Sequence, residues 1–264
     1  MLKRYTADFL KTVLPAEYYG KAAEVYNDAR IVRRAAPFIG IKHYCPCCGW
    51  YLRKFLPFGV VTRPNARCPR CRSLERHRLL WLYLKERTNL FTRPHRLLHF
   101  APEAVFESAF KKLDNLDYIT ADLDSSHAMV KVDITDIPYE DDLFDVILCS
   151  HVLEHVNDDR KAMTELFRVL RPGGWAILMV PISGEVTFED PSITAPEDRE
   201  RFFGQWDHVR MYGADFADRL ESAGFDVSVV RYAGELAERR IRRYGLPESD
   251  DIFLCTKPPA KSIE

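Results

Sequence analysis

Two Cys-x-x-Cys pairs are the residues whose spacing points most directly to chemistry. One pair lies in CPCCGW and the other in CPRCRS, with nineteen residues between them. Two tight turns of this kind can aim four thiolates at one point, which is the tetrahedral sulfur set that zinc prefers. The sequence therefore predicts a structural Zn²⁺ held by Cys45, Cys48, Cys68 and Cys71.

Other uses of these thiols stay open at this stage. Cys47 is a neighbouring thiol that could replace Cys48 as a ligand, and a redox dithiol is the rival to the metal. The seven cysteines favour metal over disulfides if the protein stays in a reducing compartment. The charged amino-terminal stretch does not resemble an export signal, and no long apolar run is present, so we expect a cytoplasmic protein without a membrane segment.

The histidines are the second group with chemical potential. His151 and His155 stand four residues apart in HVLEH, a spacing that would put both on one face of a helix. Asp207 and His208 place a carboxylate beside an imidazole, an arrangement suited to general base catalysis. A metal on the pair in HVLEH is disfavoured, because no third ligand follows at a recognisable spacing.

Three segments must position these groups. Residues 1–40 show apolar positions at helical spacing, residues 41–94 hold the cysteine pairs and a connecting helix, and residues 95–264 form the largest part. Ser73 is the expected N-cap of the connecting helix. We predict a helical segment, a zinc-ribbon-like module and one larger domain, in that order.

The third segment alternates apolar strands with amphipathic helices, which is typical of a doubly wound α/β fold. Seven strands are expected, the last two as an antiparallel hairpin at the sheet edge. The helix in DDRKAMTELFRVL is expected to end at Pro172-Gly173-Gly174. The predicted fold class is therefore α/β, with a doubly wound, seven-stranded mixed sheet and a small amino-terminal helical and zinc-ribbon module.

The run DITDIPYEDDLFDVILCSHVLEHVNDDRKAMTELFRVLRPGGWAILMVPI resembles the central part of class I S-adenosylmethionine-dependent methyltransferases, including the ubiquinone-biosynthesis-type and methyltransferase type 11-like enzymes. The likeness extends more weakly over residues 95–257. It implies a Rossmann-like methyltransferase fold, S-adenosylmethionine as cofactor and a methyl acceptor as substrate. The family's cofactor-binding positions correspond here to Phe100, Ala101, Pro102, Glu103, Asp122, Leu123, Asp133, Ile134, Cys149 and Ser150.

The resemblance gives these positions different roles. Asp122 closes the second strand and would accept the ribose hydroxyls, with Asp124 as a nearby rival. Asp133 and the backbone of Ile134 match the segment that meets adenine, and Cys149 and Ser150 follow the strand where the family places the methionine arm.

The turn after the first strand departs from the family because it has no glycine. His99 stands where the family has an acid, and Ala101, Pro102 and Glu103 replace the glycine-rich turn. S-adenosylmethionine carries no phosphates, so it demands fewer bare backbone N–H groups than a dinucleotide does. Glu103 is expected to accept hydrogen bonds from the cofactor's ammonium group.

A long polar loop over residues 182–213 is the expected acceptor site, since loops of this length are usually functional. Its FGQWDHVRMYG segment resembles one that lies near the substrate in some family members. We predict His151, His208, Asp207 and His155 as catalytic candidates, with His151 or His208 as base and Asp207 as its orienting group. Arg210 would hold an anionic acceptor, and the substrate-binding candidates are Phe203, Trp206, Arg210 and Tyr212.

Charge is distributed unevenly along the chain. Residues 1–96 carry 20 Lys and Arg against 6 Asp and Glu, whereas residues 97–264 carry 18 against 33. The basic part indicates either RNA binding, docking on the acidic part, or a solvated surface. The arginines that would contact RNA phosphates are Arg63, Arg67, Arg70, Arg72, Arg76 and Arg78.

The leading hypothesis is methyl transfer to a small-molecule thiol, hydroxyl or amine. RNA-base methylation is the alternative, disfavoured because Cys-Ser-His ends the fourth strand where many base methylases have Asn/Asp-Pro-Pro-aromatic. A third reading is a zinc-stabilised cofactor-binding module without turnover. The sequence does not indicate an oligomeric state.

Overall fold

The computed structural model describes residues 29–59, 61–123, 126, 128–247 and 250–259. Residues 29–35 are helical, and the rest of the predicted amino-terminal helical segment, residues 1–28, lies outside the described part. The strands are β1 (Ile39–Cys45), β2 (Trp50–Leu52), β3 (Leu56–Phe58), β4 (Arg63–Arg67), β5 (His95–Phe100), β6 (Leu116–Asp122), β7 (Val130–Lys131), β8 (Phe144–Ser150), β9 (Leu170–Met179), β10 (Phe188–Glu189), β11 (Arg210–Met211), β12 (Asp226–Val230) and β13 (Ile252–Thr256). The helices are α1 (Glu75–Arg87), α2 (Ala104–Phe110), α3 (Asp159–Val169), α4 (Pro196–Phe203), α5 (Phe216–Ser222) and α6 (Glu238–Tyr244).

The chain forms two compact units that do not follow the sequence divisions. The first runs to Trp81 and also contains Leu236–Pro247, a segment located between β12 and β13. The second combines Leu82–Glu235 with the chain after residue 247. Residues 95–264 were predicted to form a single domain, whereas the structure groups α6 with the amino-terminal unit.

The first unit is built from two short antiparallel pairs, β1 with β2 and β3 with β4. Helix α6 packs on β1, and the Nδ1 atom of His43 in β1 lies 3.0 Å from the carbonyl oxygen of Arg242. A small core of Cys45, Leu52, Phe55 and Cys68 is almost fully buried. Two of these four side chains are cysteines, so the cysteine cluster contributes much of this small core.

The predicted cap of α1 is wrong. Helix α1 begins at Glu75, and the Ser73 hydroxyl contacts the sulfur atoms of Cys45 and Cys71 at 3.3 and 3.2 Å. Instead, the Nδ1 atom of His77 accepts from the backbone N–H of Leu74. Ser73 therefore belongs to the cysteine cluster, because its hydroxyl is used there.

Arg78 also departs from its predicted role as a phosphate-binding residue. Its guanidinium is fully buried, donates to the carbonyl oxygens of Ala66, Ser73, Tyr244 and Gly245, and lies 4.0 Å from the ring centroid of Phe55. Burial lowers the pKa of this guanidinium, although neighbouring thiols and Glu75 oppose the shift. A side chain enclosed in this way ties α6 to the first unit and is not available to RNA.

The second unit contains the predicted mixed sheet of seven strands, in the order β12-β13-β9-β8-β5-β6-β7. Strands β7, β6, β5, β8 and β9 are parallel, while β13 runs antiparallel between β9 and β12. Order reverses between β5 and β8, so the carboxyl ends of these two strands flank the position where open α/β sheets bind ligands. The predicted fold class is confirmed.

Helix α3 shows how local sequence sets the elements beside this sheet. The Asp158 side chain accepts from the backbone N–H of Lys161 and caps the helix, and Ala162, Met163 and Leu166 are buried. The helix ends at Val169, earlier than the predicted Pro-Gly-Gly stop, because Leu170 already pairs with Phe144 as the first residue of β9. Glycine is still required beyond it, since Gly173 has φ +75°.

Among the described residues, none of the helices combines the length and apolar character that crossing a membrane requires.

Candidate functional site

Strand register brings three predicted cofactor positions to one edge of the sheet. Phe100 of β5 pairs with Ala121 of β6 and with Cys149 of β8, so the next residues are Ala101, Asp122 and Ser150. The backbone N–H of Ala101 donates to the carbonyl oxygen of Ala121 at 2.9 Å, which fixes this alignment. A turn, a carboxylate and a hydroxyl therefore meet at the carboxyl ends of three adjacent parallel strands.

The turn after β5 achieves a glycine-like conformation with alanine. Ala101 has φ +45°, in the left-handed region that L residues other than Asn and Asp seldom occupy. Alanine carries the smallest side chain that has a Cβ, so the strain is less than for a β-branched residue. The backbone geometry that glycine would give is therefore present, although the sequence lacks glycine here.

Three side chains beside this turn form a chain of hydrogen bonds. The Tyr118 hydroxyl lies 2.9 Å from Nδ1 of His99, and Nε2 of His99 lies 3.0 Å from Oε2 of Glu103. Burial raises the pKa of the Tyr118 hydroxyl well above its usual value, so the hydroxyl stays protonated and donates to His99, which in turn donates to Glu103. His99 is 1% exposed. Glu103, predicted to face the cofactor's ammonium group, thus has one oxygen already bonded to His99.

The remaining predicted cofactor residues differ in exposure. Leu123 is exposed and Ile134 is buried, while Asp133 directs Oδ1 at the N–H and hydroxyl of Thr135, which lowers the pKa of this carboxyl. Burial raises the pKa of the Cys149 thiol well above its usual value, so this thiol stays protonated. Asp124, the rival of Asp122, lies outside the described residues.

The residue after β8 is the first of the catalytic candidates. His151 has φ +57°, and its backbone N–H donates to Met179 of the neighbouring strand. Its Nδ1 lies 3.2 Å from Oε1 of Glu154. His151 and His155 do not share a helical face as predicted, because a short 3₁₀ turn, Leu153–His155, follows β8 and His151 precedes it in a left-handed conformation.

His155 and His208, 53 positions apart in the chain by their residue numbers, come together beside this turn. Their ring centroids are 4.7 Å apart and the rings are nearly perpendicular. Nδ1 of His208 donates to the carbonyl oxygen of Phe203, and burial lowers the pKa of this imidazole, which keeps it neutral. Asp207 was expected to orient His208 or His151, but its Oδ2 lies 3.4 Å from Nδ1 of His155.

Glu154, the buried acid at the centre of this region, was not predicted from the sequence. Glu154 is 1% exposed. One of its carboxylate oxygens lies within 4.8 Å of a ring nitrogen of His155 and of a ring nitrogen of His208. The acid lies in HVLEH between two histidines. The distant loop that leads into β11 contacts it, because the backbone N–H of Val209 donates to the Glu154 carbonyl.

The long loop contains α4 and the short pair β10 and β11, where the sequence showed no clear strand. Of the four predicted substrate-binding side chains in it, Phe203, Arg210 and Tyr212 are buried and Trp206 is 60% exposed. Arg210 donates to the carbonyl oxygens of Leu153, Val156 and Asn157 and pairs with Glu189. These contacts use Arg210 to hold the loop against the turn after β8, in place of the predicted anion contact.

Tyr212 belongs to the same buried network. Its hydroxyl donates to Oδ2 of Asp159 at 2.7 Å, and Arg219 donates to the same oxygen at 3.1 Å. Burial, reinforced by the Asp159 carboxylate, raises the pKa of the Tyr212 hydroxyl. The network fixes the position of the segment that carries Asp207 and His208.

In the first unit, the four predicted metal ligands converge. One sulfur atom from each of Cys45, Cys48, Cys68 and Cys71 lies within 4.8 Å of the others, and two of the separations are 3.6 Å (Cys45 to Cys71) and 3.8 Å (Cys48 to Cys68). Tetrahedral zinc with Zn–S bonds of about 2.3 Å requires sulfur atoms about 3.8 Å apart. Cys47 lies outside this set and contacts the carbonyl oxygen of His77. The donor set therefore fits zinc.

Parts of the chain are similar in sequence to known proteins, and its fold is similar to solved structures. Residues 102–178 match the Methyltransferase domain family. A 115-residue stretch is 30% identical to a probable S-adenosylmethionine-dependent methyltransferase of Mycolicibacterium smegmatis, covering 42% of this chain and 41% of the relative. A 49-residue stretch is 45% identical to demethylmenaquinone methyltransferase of Clavibacter sepedonicus, covering 19% and 20%. The chain thus spans less than half the length of these relatives.

Among solved structures, the [4+2]-cyclase SpnF has the same fold. The two superpose with a TM-score of 0.50 at 17% identity, over 88% of this chain and 93% of SpnF. At this level of identity the likeness concerns the fold alone, since one fold serves unrelated reactions.

Proposed function

We propose that the protein is an S-adenosylmethionine-dependent methyltransferase whose acceptor is a small-molecule nucleophile. The observation that carries this proposal is the shared sheet edge of Ala101, Asp122 and Ser150. Ala101 directly precedes the segment that matches the Methyltransferase domain family, and Asp122 and Ser150 lie within it. When bound, the cofactor supplies an electrophilic methyl group on a sulfonium sulfur.

The residues at this edge suit an adenosyl ligand. Asp122 ends β6 half-buried and supplies a carboxylate for the two ribose hydroxyls. The left-handed turn at Ala101 lets the backbone pass close to the ligand, and the segment at Asp133 and Ile134 would border adenine. The cofactor carries no phosphates, so it does not need the ring of backbone N–H groups that a glycine-rich turn supplies.

The geometry supports His151 as the general base. Glu154 accepts from Nδ1–H of His151, which leaves Nε2 to take a proton from the acceptor. His151 directly follows Ser150, beside the proposed methionine arm. Glu154 then replaces Asp207 as the group that orients the base, and the exposed Trp206 is the best candidate for contact with the acceptor.

Cofactor binding is tested by calorimetry with S-adenosylhomocysteine, the demethylated coproduct. Asp122→Asn should weaken binding about tenfold to a hundredfold, because hydrogen bonds to a charged acceptor contribute roughly 1.5–3 kcal/mol. Asp117→Asn is the matched control, since Asp117 lies on the same strand near its other end and pairs with Arg96. Absence of binding by the wild-type chain would remove the basis of the proposal.

Turnover is tested on a panel of thiols, phenols and amines. His151→Ala should lower kcat about 10²- to 10⁴-fold while binding of S-adenosylhomocysteine persists. Binding without turnover on any acceptor would favour the third reading, a cofactor-binding module. Among the described residues, no contact specifically favours a cofactor-binding module without turnover.

RNA methylation is less well supported by the contacts of the first unit. Arg78 is buried, Arg63 pairs with Glu75, and Arg70 donates to the Cys48 carbonyl and lies over the Trp50 ring. RNA binding whose affinity falls steeply with salt would revive this alternative.

We also propose that Zn²⁺ occupies the four-cysteine cluster as a structural ion.

A further inference from the structure

The cluster of Glu154, His155 and His208 contains an unsatisfied buried carboxylate. Oε1 of Glu154 is bonded to His151, whereas Oε2 is buried and has no hydrogen-bond partner among the described residues. Burying a carboxylate oxygen without a partner is costly, and native proteins rarely leave one so. A positive group at this point would remove the cost.

The two histidines present ring nitrogens to the same point without bonding to Glu154. His208 donates through Nδ1 to Phe203, so its Nε2 carries the lone pair that remains. One nitrogen of each ring and one Glu154 oxygen all lie within 4.8 Å of one another. Three donors that surround a common centre in this way match two imidazoles and one carboxylate, the ligand set of many transition-metal sites.

A second carboxylate and a backbone carbonyl oxygen also contact the two imidazole rings. Oδ2 of Asp207 lies 3.4 Å from Nδ1 of His155, and the Phe203 carbonyl accepts from Nδ1 of His208. Metal-binding histidines commonly donate their other ring N–H to groups of this kind, which fixes the ring and increases its basicity. The side chain of Gln205 in turn donates to Oδ1 of Asp207. Both rings therefore have the outer contacts typical of ligands.

We infer that Glu154, His155 and His208 form a binding site for a divalent first-row transition-metal ion such as Zn²⁺, separate from the four-cysteine cluster. The donor atoms need to move closer together by about 1 Å to reach bonding distances of roughly 2.0–2.2 Å. His155 can supply much of this movement, because its side chain is 32% exposed. Three protein ligands leave a coordination position for water or for a heteroatom of a bound molecule.

The site differs from the proposed cofactor edge, but it shares Glu154 with the proposed base His151. Both carboxylate oxygens then have partners, with Oε1 on His151 and Oε2 on the ion. The sequence disfavoured a metal on the pair His151 and His155, because no third ligand follows at a recognisable spacing. The structure instead brings Glu154 and His155 together with the distant His208, through the buried network that holds Asp207 and His208 in place.

Metal binding by the full-length protein tests the inference, with Zn²⁺ counted by mass spectrometry and Co²⁺ as the spectroscopic probe. The wild-type chain should take up one Co²⁺ ion whose visible bands lack thiolate charge transfer, in addition to an ion with such bands from the cysteines. His155→Ala and Glu154→Gln should lose the first signal and keep the second. Asp207→Asn should weaken it about tenfold to a hundredfold.

Glu200→Gln is the matched control, because Glu200 is an exposed acid on α4 and should leave both signals unchanged. His155→Ala is the decisive variant, since its side chain is only half-buried and circular dichroism should show an intact fold. A wild-type chain without the thiolate-free signal would overturn the inference, as would a signal that survives in His155→Ala. Coproduct binding is measured separately, so failure of the metal site and failure of the proposed activity are distinguishable.

Discussion

Ala101 takes a left-handed conformation in the turn after β5, where the sequence has no glycine. Its φ of +45° costs an alanine roughly 1–2 kcal/mol relative to an ordinary conformation. Strain of this size persists only where the surroundings impose it, here through the bond from Ala101 to Ala121 and the supports His99 and Glu103.

Substitutions at this position should separate strain from binding. Ala101→Gly should stay within about 1 kcal/mol of the wild type, because relief of strain offsets the greater freedom of glycine in the unfolded chain. Ala101→Val should lose about 1–3 kcal/mol and bind S-adenosylhomocysteine more weakly, since a β-branched residue fits this conformation poorly. Urea unfolding and calorimetry measure the two effects, and equal stability of both variants would show that the turn is not strained.

Residue identity predicted some of the site and missed the rest for a physical reason. Spacing alone located Cys45, Cys48, Cys68 and Cys71, because ligands in two tight turns converge by local geometry. Glu154 and His155 meet Asp207 and His208 only because the long loop returns to the turn after β8. These residues are more than fifty positions apart, so no local sequence pattern predicts the contact. The burial of Arg78 was equally invisible, since it requires α6 to return to the first unit.

At the scale of elements, α3 positions the segment that follows Asp133. Glu165 on this helix accepts from the backbone N–H of Ile137, and Arg168 donates to the carbonyl oxygens of Ile137 and Tyr139. The two side chains also pair with each other at 2.7 Å. The hydrogen bonds from Arg168 are the main reason that the pKa of the Glu165 carboxyl is held below its usual 4.5.

This clamp gives a prediction with a defined pH window. Glu165→Gln should cost about 1–2 kcal/mol of unfolding free energy at neutral pH, because charge-assisted hydrogen bonds are lost. A carboxyl whose pKa is lower in the folded state stabilises above its unfolded pKa and loses that contribution as pH falls through the folded value. The difference between variant and wild type should therefore shrink below pH 4.5. Urea unfolding at several pH values checks this, and a constant difference would contradict it.

The order of the strands was predictable because alternating strand and helix patterns permit few connections. The short pair β10 and β11 was not, since two-residue strands leave almost no periodic signal. The end of α3 was also misplaced. Pro172 and the glycines after it mark a turn, but pairing of Leu170 with Phe144 ends the helix first.

At the scale of the whole molecule, we expect the first unit to depend on its cysteines, because two of the four side chains in its buried cluster are cysteines. Removing zinc with a chelator should unfold this unit while the seven-stranded sheet remains, since a structural metal contributes its binding energy directly to folding. Calorimetric melting with and without chelator should show one transition lost and one retained.

Two variants make this prediction specific. Cys71→Ser should reproduce the effect of the chelator, whereas Cys47→Ser should keep the metal, because the Cys47 sulfur lies outside the set of four. Equal metal loss in both variants would show that the cluster is not the one identified from the geometry.

Helix α6 has a consequence for how the protein is made. The ribosome releases the cysteine pairs early, yet β1 obtains its partner helix only after residue 244 has been synthesised. Nascent chains usually complete their domains in order from the amino terminus. In this protein the first unit is completed only after most of the sheet has been translated, so we expect its thiols to need protection from oxidation and aggregation during that time.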